Sequence, residues 1–166
     1  MPTFAAESRL LDFAGRLNDW ESGALCEKLN EESAATGADI VVVTTNSFGE
    51  QTAREYVKEV YKNNGFSYNT VIIAINFEEM RWIVCPYGYL TCIFTESVVD
   101  EMSEQFIAPM TDNNFYEGFS VFATLCGERI WEFKEKYNLS DTMPHLLDSA
   151  DLLSEEERKT FALAKV

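Results

Sequence analysis

Two short, uninterrupted apolar runs constrain the fold of this 166-residue chain more than any other feature. Residues 40–43 and 71–75 are rich in β-branched side chains and show no alternation of polar and apolar residues. Such runs are typical of strands that are covered on both faces. Between them, apolar residues recur at helical spacing over residues 53–61. The pattern predicts an α/β fold in which helices sandwich a sheet.

A third strand is predicted at residues 81–85, directly after a turn at 76–79. This connection is too short to hold a crossover helix. Strands 71–75 and 81–85 are therefore expected to pair antiparallel, as a hairpin. The sheet is then mixed rather than purely parallel.

Capping signals and apolar periodicity predict three further helices. Asn18 and Glu21 have the spacing of a capping box at the start of the first helix, and Gly37 is the predicted end of that helix. Thr95 is the expected cap of the next helix, and Pro109 its expected end. An aromatic stripe over residues 115–133 predicts the longest helix, with its apolar face in the core. Together the elements predict a three-layer α/β/α sandwich, with a small mixed sheet covered by helices on both faces.

The net charge of −15 restricts the partners of the chain. A surface this acidic repels phosphate backbones, so nucleic acid is not expected as a partner. No apolar run approaches the roughly 20 residues that span a bilayer. Membrane association is therefore expected only through parts absent from this chain. The oligomeric state is left open.

The four cysteines do not form a recognisable metal site. They include no C-x-x-C pair, and their spacing does not fit a zinc centre. Cys26 and Cys126 lie in helical apolar patterns and are predicted to be buried thiols. Cys85 and Cys92 flank a turn, so they are either free or bridged, depending on their separation.

Oxygen-bearing side chains cluster where ligands gather in α/β sheets, beyond the carboxyl ends of the strands. Calcium or magnesium would be bound by such oxygens. The alternative interpretation is that these residues are solvated and only form turns and caps. The candidate metal ligands are Asp12, Asn46, Ser47, Glu78, Asp112 and Asn114.

Signals for catalysis are weak, and a binding or assembly role is favoured. The chain has no Cys-x5-Arg motif, no glycine-rich phosphate loop, and a single histidine, His145, outside the core pattern. Aromatic residues after the third strand are candidate anchors for a protein partner. The alternative is that they cap the edge of the core. The candidate partner-binding residues are Tyr87, Gly88, Tyr89 and Phe94.

The order of elements and several short motifs resemble the TPM domain. This family takes its name from a plant thylakoid-lumen phosphatase, a photosystem repair protein and an acetylcholine-receptor auxiliary protein. The resemblance implies an extracytoplasmic module that binds or assembles with a partner, with a divalent cation as a candidate ligand. A metal-dependent acid phosphatase is the alternative that it implies. The matching segments are residues 11–15, 37–44, 71–75, 87–88, 106–109 and 114–118.

Three departures from the family pattern argue against the phosphatase alternative. The turn between the second and third strands usually carries an Asp-Arg pair, but residues 77–80 read Phe-Glu-Glu-Met. The Asp before the last helix is replaced by Asn114, with Asp112 two residues earlier. Pro86 stands in place of the first glycine of the Gly-Tyr-Gly motif. Little catalysis is therefore expected.

The end of the chain repeats its beginning. Residues 146–157 match residues 10–21 at one constant offset, and Asp148 corresponds to Asp12. The expected organisation is a TPM-like domain over 1–137, a linker over 138–145, and a C-terminal helix over 146–166. That helix is interpreted as the possible start of a second TPM-like repeat. Chance similarity of two capped helix starts is the alternative.

Overall fold

The computed structural model describes residues 8–137. The predicted linker, the C-terminal helix and the second repeat lie outside the described residues. The elements, in chain order, are β1 (Leu10–Asp12), α1 (Asp19–Thr36), β2 (Asp39–Thr45), α2 (Ala53–Asn63), β3 (Thr70–Asn76), β4 (Arg81–Tyr87), α3 (Leu90–Ile93), α4 (Glu96–Thr111) and α5 (Phe115–Lys136).

The four strands form one mixed sheet in the order β1-β2-β3-β4. β1, β2 and β3 are parallel, and β3 pairs with β4 antiparallel. The predicted hairpin is therefore confirmed. β2 and β3 are buried along their whole length, as their apolar runs require.

Helices cover both faces of the sheet, which confirms the predicted sandwich. Side chains of β2 and β3 alternate between two cores, because successive residues in a strand point to opposite faces. One face packs against α1, α4 and α5 through Ile40, Val42, Val71 and Ile73. The other packs against α2 through Val41, Val43, Ile72 and Ala74.

The termini of α1 follow the sequence signals. Asn18 and Glu21 form a reciprocal capping box, and Gly37 adopts the left-handed conformation at the C-cap, with φ of 76°. Leu25 and Leu29 on this helix are fully buried. Trp20, in the first turn of the helix, is 69% exposed and packs at the surface against Tyr116.

Three short features differ from prediction. β1 was not predicted, because only one of its three side chains is buried and no period emerges over so few residues. α3 was missed because it has four residues and no side-chain cap. Pro109 does not end α4, which continues to Thr111 with Pro109 in its last turn.

All four cysteines are free thiols. Cys126 is buried, as predicted, whereas Cys26 is only half-buried. Cys85 belongs to the core beneath α2, and Cys92 packs against the opposite core. The sheet therefore separates the two cysteines whose pairing was left open.

None of the helices within residues 8–137 combines the length and the apolar character that crossing a bilayer requires.

Candidate functional site

The candidate metal ligands lie at the ends of elements. Asp12 ends β1, Asn46 and Ser47 follow β2, and Glu78 follows β3. The loops after β2 and β3 are joined by a hydrogen bond of 3.3 Å from the Glu78 N–H to the Asn46 carbonyl oxygen. Asp112 and Asn114 lie between α4 and α5.

The Asp12 carboxylate already has three hydrogen-bond donors. Oδ1 accepts from the backbone N–H of Arg16 at 3.1 Å and from the Thr44 hydroxyl, and Oδ2 accepts from the N–H of Leu17 at 3.0 Å. These bonds close the loop between β1 and α1 and tie it to β2. Asp12 is therefore built into the loop as a structural acceptor.

Other candidates are used in the same way. Asn114 Oδ1 accepts from the N–H of Glu117 and caps α5, and Ser47 Oγ accepts from the N–H of Gly49. Calcium takes six to eight oxygen ligands, several of them carboxylates. Across residues 8–137, no three acidic, cysteine or histidine side chains converge on a metal-sized site. The side chains of Asp12, Ser47 and Asn114 are thus already used within the fold, and cation binding by the candidate ligands stays a prediction.

Replacement of Asp12 tests this structural role. In Asp12→Ala the donors of the β1–α1 loop lose a charged acceptor, so the free energy of unfolding is expected to fall by about 1–3 kcal/mol. Asp12→Asn keeps one acceptor oxygen and is expected to lose less. Urea denaturation measures both variants. The loss should be the same in EDTA and in calcium, and a loss seen only in calcium would show that Asp12 is a ligand.

The candidate partner-binding residues divide into two groups. Tyr87 is half-buried at the end of β4. Only 7% and 3% of the surfaces of Tyr89 and Phe94 are accessible, as in the alternative interpretation that these aromatic residues cap the core. Gly88 has a φ of 66°, and a Cβ there would overlap the Asn69 side chain and the Tyr68 carbonyl. The turn itself therefore requires glycine at this position.

A groove of about 600 Å³ runs along β4, at the open edge of the sheet. Consecutive β4 residues point to opposite faces, yet all of those from Trp82 to Tyr87 line the groove. A cavity that contacts both faces of one strand must follow the edge of that strand. We call this cavity the β4 groove; its walls are Arg54, Glu55, Lys58, Tyr61 and Lys62 of α2, and Phe94, Glu96, Val99 and Asp100 in and before α4.

The two walls of the β4 groove carry opposite charges. Arg54, Lys58 and Lys62 are exposed on α2 at positions i, i+4 and i+8. Glu96 and Asp100 are exposed on α4. The Glu55 carboxylate accepts from the N–H of Thr52 and closes the capping box of α2. The α2 wall is therefore a basic stripe on an otherwise acidic protein.

The floor of the β4 groove is apolar and chemically inert. Tyr61 of α2 stacks on Tyr87 with ring centroids 4.1 Å apart. Burial raises the pKa of the Cys85 thiol to about 11, although the nearby Arg54 guanidinium acts in the opposite direction. Cys85 is therefore a neutral thiol at physiological pH and a poor nucleophile. The floor of the groove therefore offers an apolar, uncharged surface.

A family model for the TPM domain matches residues 10–129, which is most of the chain. The chain belongs to the TPM domain family. No functionally curated protein matches the sequence.

Three solved structures share the fold of this TPM domain. The BA42 protein of the psychrophilic bacterium Bizionia argentinensis has a TM-score of 0.62 at 15% identity, covering 70% of this chain and 83% of BA42. The N-terminal domain of a P. gingivalis protein has a TM-score of 0.64 at 16% identity, covering 79% and 87%. The N-terminal domain of the cg2496 protein of Corynebacterium glutamicum has a TM-score of 0.61 at 15% identity, covering 87% and 88%.

The cations of the β4 groove were missed from the sequence. The available signal was their spacing: residues four apart lie on one helical face, and three cations in such a row are unusual in a chain with a charge of −15. Their position beside an open strand edge depends on tertiary structure. No local pattern in this TPM domain predicts it.

Proposed function

We propose that this TPM domain is an extracytoplasmic binding module that docks a protein partner in the β4 groove. The observation that carries the proposal is the groove itself, which combines an apolar floor, an open strand edge and two charged walls. Specific peptide sites combine these features, since buried apolar contacts give affinity and polar groups fix orientation. The family assignment supports the extracytoplasmic location.

A metal-dependent phosphatase is the less favoured alternative. The Asp12 carboxylate is occupied by hydrogen bonds within its own loop, and Asn114 caps α5 instead of supplying a carboxylate. Metal-assisted hydrolysis depends on a metal held with open positions for water and substrate. Turnover of a generic phosphate ester in calcium or magnesium that Asp12→Ala abolishes would establish this alternative.

Selection from a random displayed-peptide library tests the docking site directly. We expect enriched peptides to shift the amide resonances of β4, α2 and the start of α4 in NMR titrations. Val99 lines the groove and is half-buried, so Val99→Arg should weaken these peptides at least about tenfold by filling the groove with a charged side chain.

Phe13→Arg provides the matched control for that variant. Phe13 is 62% exposed after β1 and does not line the groove, so the same introduced charge should leave peptide affinity unchanged. Peptides whose NMR footprint falls on the loops around Asp12 would contradict the proposed site.

A further inference from the structure

The outer edge of β4 presents unpaired backbone groups. β4 is the last strand of the sheet formed by residues 8–137, and it is only partly buried, unlike β2 and β3. Pro86 pairs with Val71 in the hairpin register. Proline has no N–H to donate, so within a sheet its nitrogen faces an open edge. The backbone groups of alternate residues in a strand point to the same edge. The N–H and C=O groups of Val84 and Trp82, two and four residues before Pro86, therefore point toward the groove.

The basic stripe on α2 matches the repeat of an extended chain. α2 connects two parallel strands, so it runs opposite to β3 and broadly along β4. Its three cations are spaced four residues apart, or about 6 Å along the helix. Side chains on one face of an extended strand repeat every two residues, or about 6.7 Å. A strand added beside β4 would therefore present successive same-face side chains to Arg54, Lys58 and Lys62.

These cations are available for such a strand. None of the ion pairs found within residues 8–137 involves Arg54, Lys58 or Lys62. The opposite wall requires different chemistry, because Glu96 and Asp100 repel acids while Trp82 and Val99 offer apolar surface. The matching occupant has acidic side chains on one face and apolar side chains on the other.

We propose that the partner segment adds to β4 as a fifth strand, with alternate acidic residues paired to the cations of α2 and apolar residues packed toward α4. This inference rests on the proposed function, because it specifies the mode and the chemistry of docking in the β4 groove. The β4 edge supplies backbone hydrogen bonds, and the α2 stripe supplies the selectivity for acids.

The test uses the full chain and peptides with the seven-residue length of β4. One peptide alternates glutamate and valine, and its counterpart alternates lysine and valine. The net charge of −15 favours the lysine peptide, whereas the groove favours the glutamate peptide. We expect the glutamate peptide to bind about tenfold tighter at physiological salt, where long-range repulsion is screened and three exposed ion pairs act together. Tighter binding of the lysine peptide would overturn the inference.

A charge reversal in the protein identifies the wall responsible. Lys58→Glu should weaken the glutamate peptide about tenfold and strengthen the lysine peptide. Lys136→Glu introduces the same charge change on α5, against the opposite face of the sheet, and should leave the preference for glutamate intact. Equal effects of the two variants would show that only the net charge matters.

Backbone pairing is tested separately. A glutamate–valine peptide N-methylated at alternate positions on its β4-facing edge should lose binding, while methylation on the outer edge should have little effect. Equal binding of the two methylated peptides would overturn strand addition. So would slow exchange of the Trp82 and Val84 amides in the free protein, since that would show the edge to be already paired.

The outcomes separate this inference from the proposed function. Library peptides that bind the β4 groove without acidic residues and without free backbone amides would leave the docking site in place and overturn only the fifth-strand mode. Library peptides that bind only elsewhere would overturn the docking site itself.

Discussion

Phe106→Ala is expected to lower the free energy of unfolding by about 3–5 kcal/mol, the usual cost of truncating a fully buried phenylalanine. Phe106 is completely buried on α4. Its ring meets Trp82 edge-on at 5.4 Å and Phe122 at 5.5 Å, so it joins α4 to both β4 and α5. A domain of this size is stable by only about 5–15 kcal/mol, so the variant should be close to unfolding.

Urea denaturation followed by circular dichroism measures the change. Phe106→Leu retains most of the buried volume and should cost clearly less. Phe13→Ala removes the same ring from an exposed position and should change stability by less than about 0.5 kcal/mol. If Phe106→Ala lowered the free energy of unfolding by less than about 1 kcal/mol, the Phe106 ring would not be what holds α4 against β4 and α5.

Gly88→Ala is expected to lower the free energy of unfolding by about 2–4 kcal/mol. Its φ of 66° disfavours any side chain, at a cost of about 1–2 kcal/mol. The added Cβ would also overlap the Asn69 side chain, whose Oδ1 accepts a hydrogen bond of 2.7 Å from the N–H of Tyr89. Such overpacking costs about 1–3 kcal/mol.

Gly15→Ala separates these two contributions. Gly15 has nearly the same φ, 65°, but no atom lies within 4 Å of the position its Cβ would occupy. Its substitution should therefore show only the backbone cost, measured in the same urea experiment. Equal losses of unfolding free energy in the two variants would mean that the Asn69 side chain moves away from the added Cβ at no measurable cost.

The sequence predicts the central layer of this fold because local and global requirements agree there. β2 and β3 need apolar side chains on both faces, so residues 40–43 and 71–75 are recognisable without any partner. The capping box at Asn18 is equally local, since both of its hydrogen bonds lie within four residues. β1 and α3 are too short to carry a period, so they emerge only from packing.

The candidate site is less predictable, because exposure and proximity are tertiary properties. The sequence does not distinguish an aromatic residue that faces solvent from one that faces the core: Tyr89 turns inward, whereas Tyr87 lines the groove and Phe94, although buried, forms part of its wall. Acidic loop residues likewise suggest metal ligands until their hydrogen bonds are seen, as with Asp12. The β4 groove unites α2, β4 and α4, which no single stretch of sequence describes.

The uneven covering of the sheet gives the two sides of the molecule different cooperativity. Within residues 8–137, α2 is the one helix over one face of the sheet, and only Val57 and Val60 of its side chains are buried, whereas α1, α4 and α5 share a much larger core on the other face. We therefore expect that detaching α2 costs less free energy than unfolding the whole domain, so that α2 opens as a subglobal unit. Because the basic stripe lies on this unit, a segment bound in the groove selects the closed state and raises the free energy of that opening. The proposed docking is therefore expected to protect the α2 side of the sheet from local opening and to leave the three-helix side unchanged.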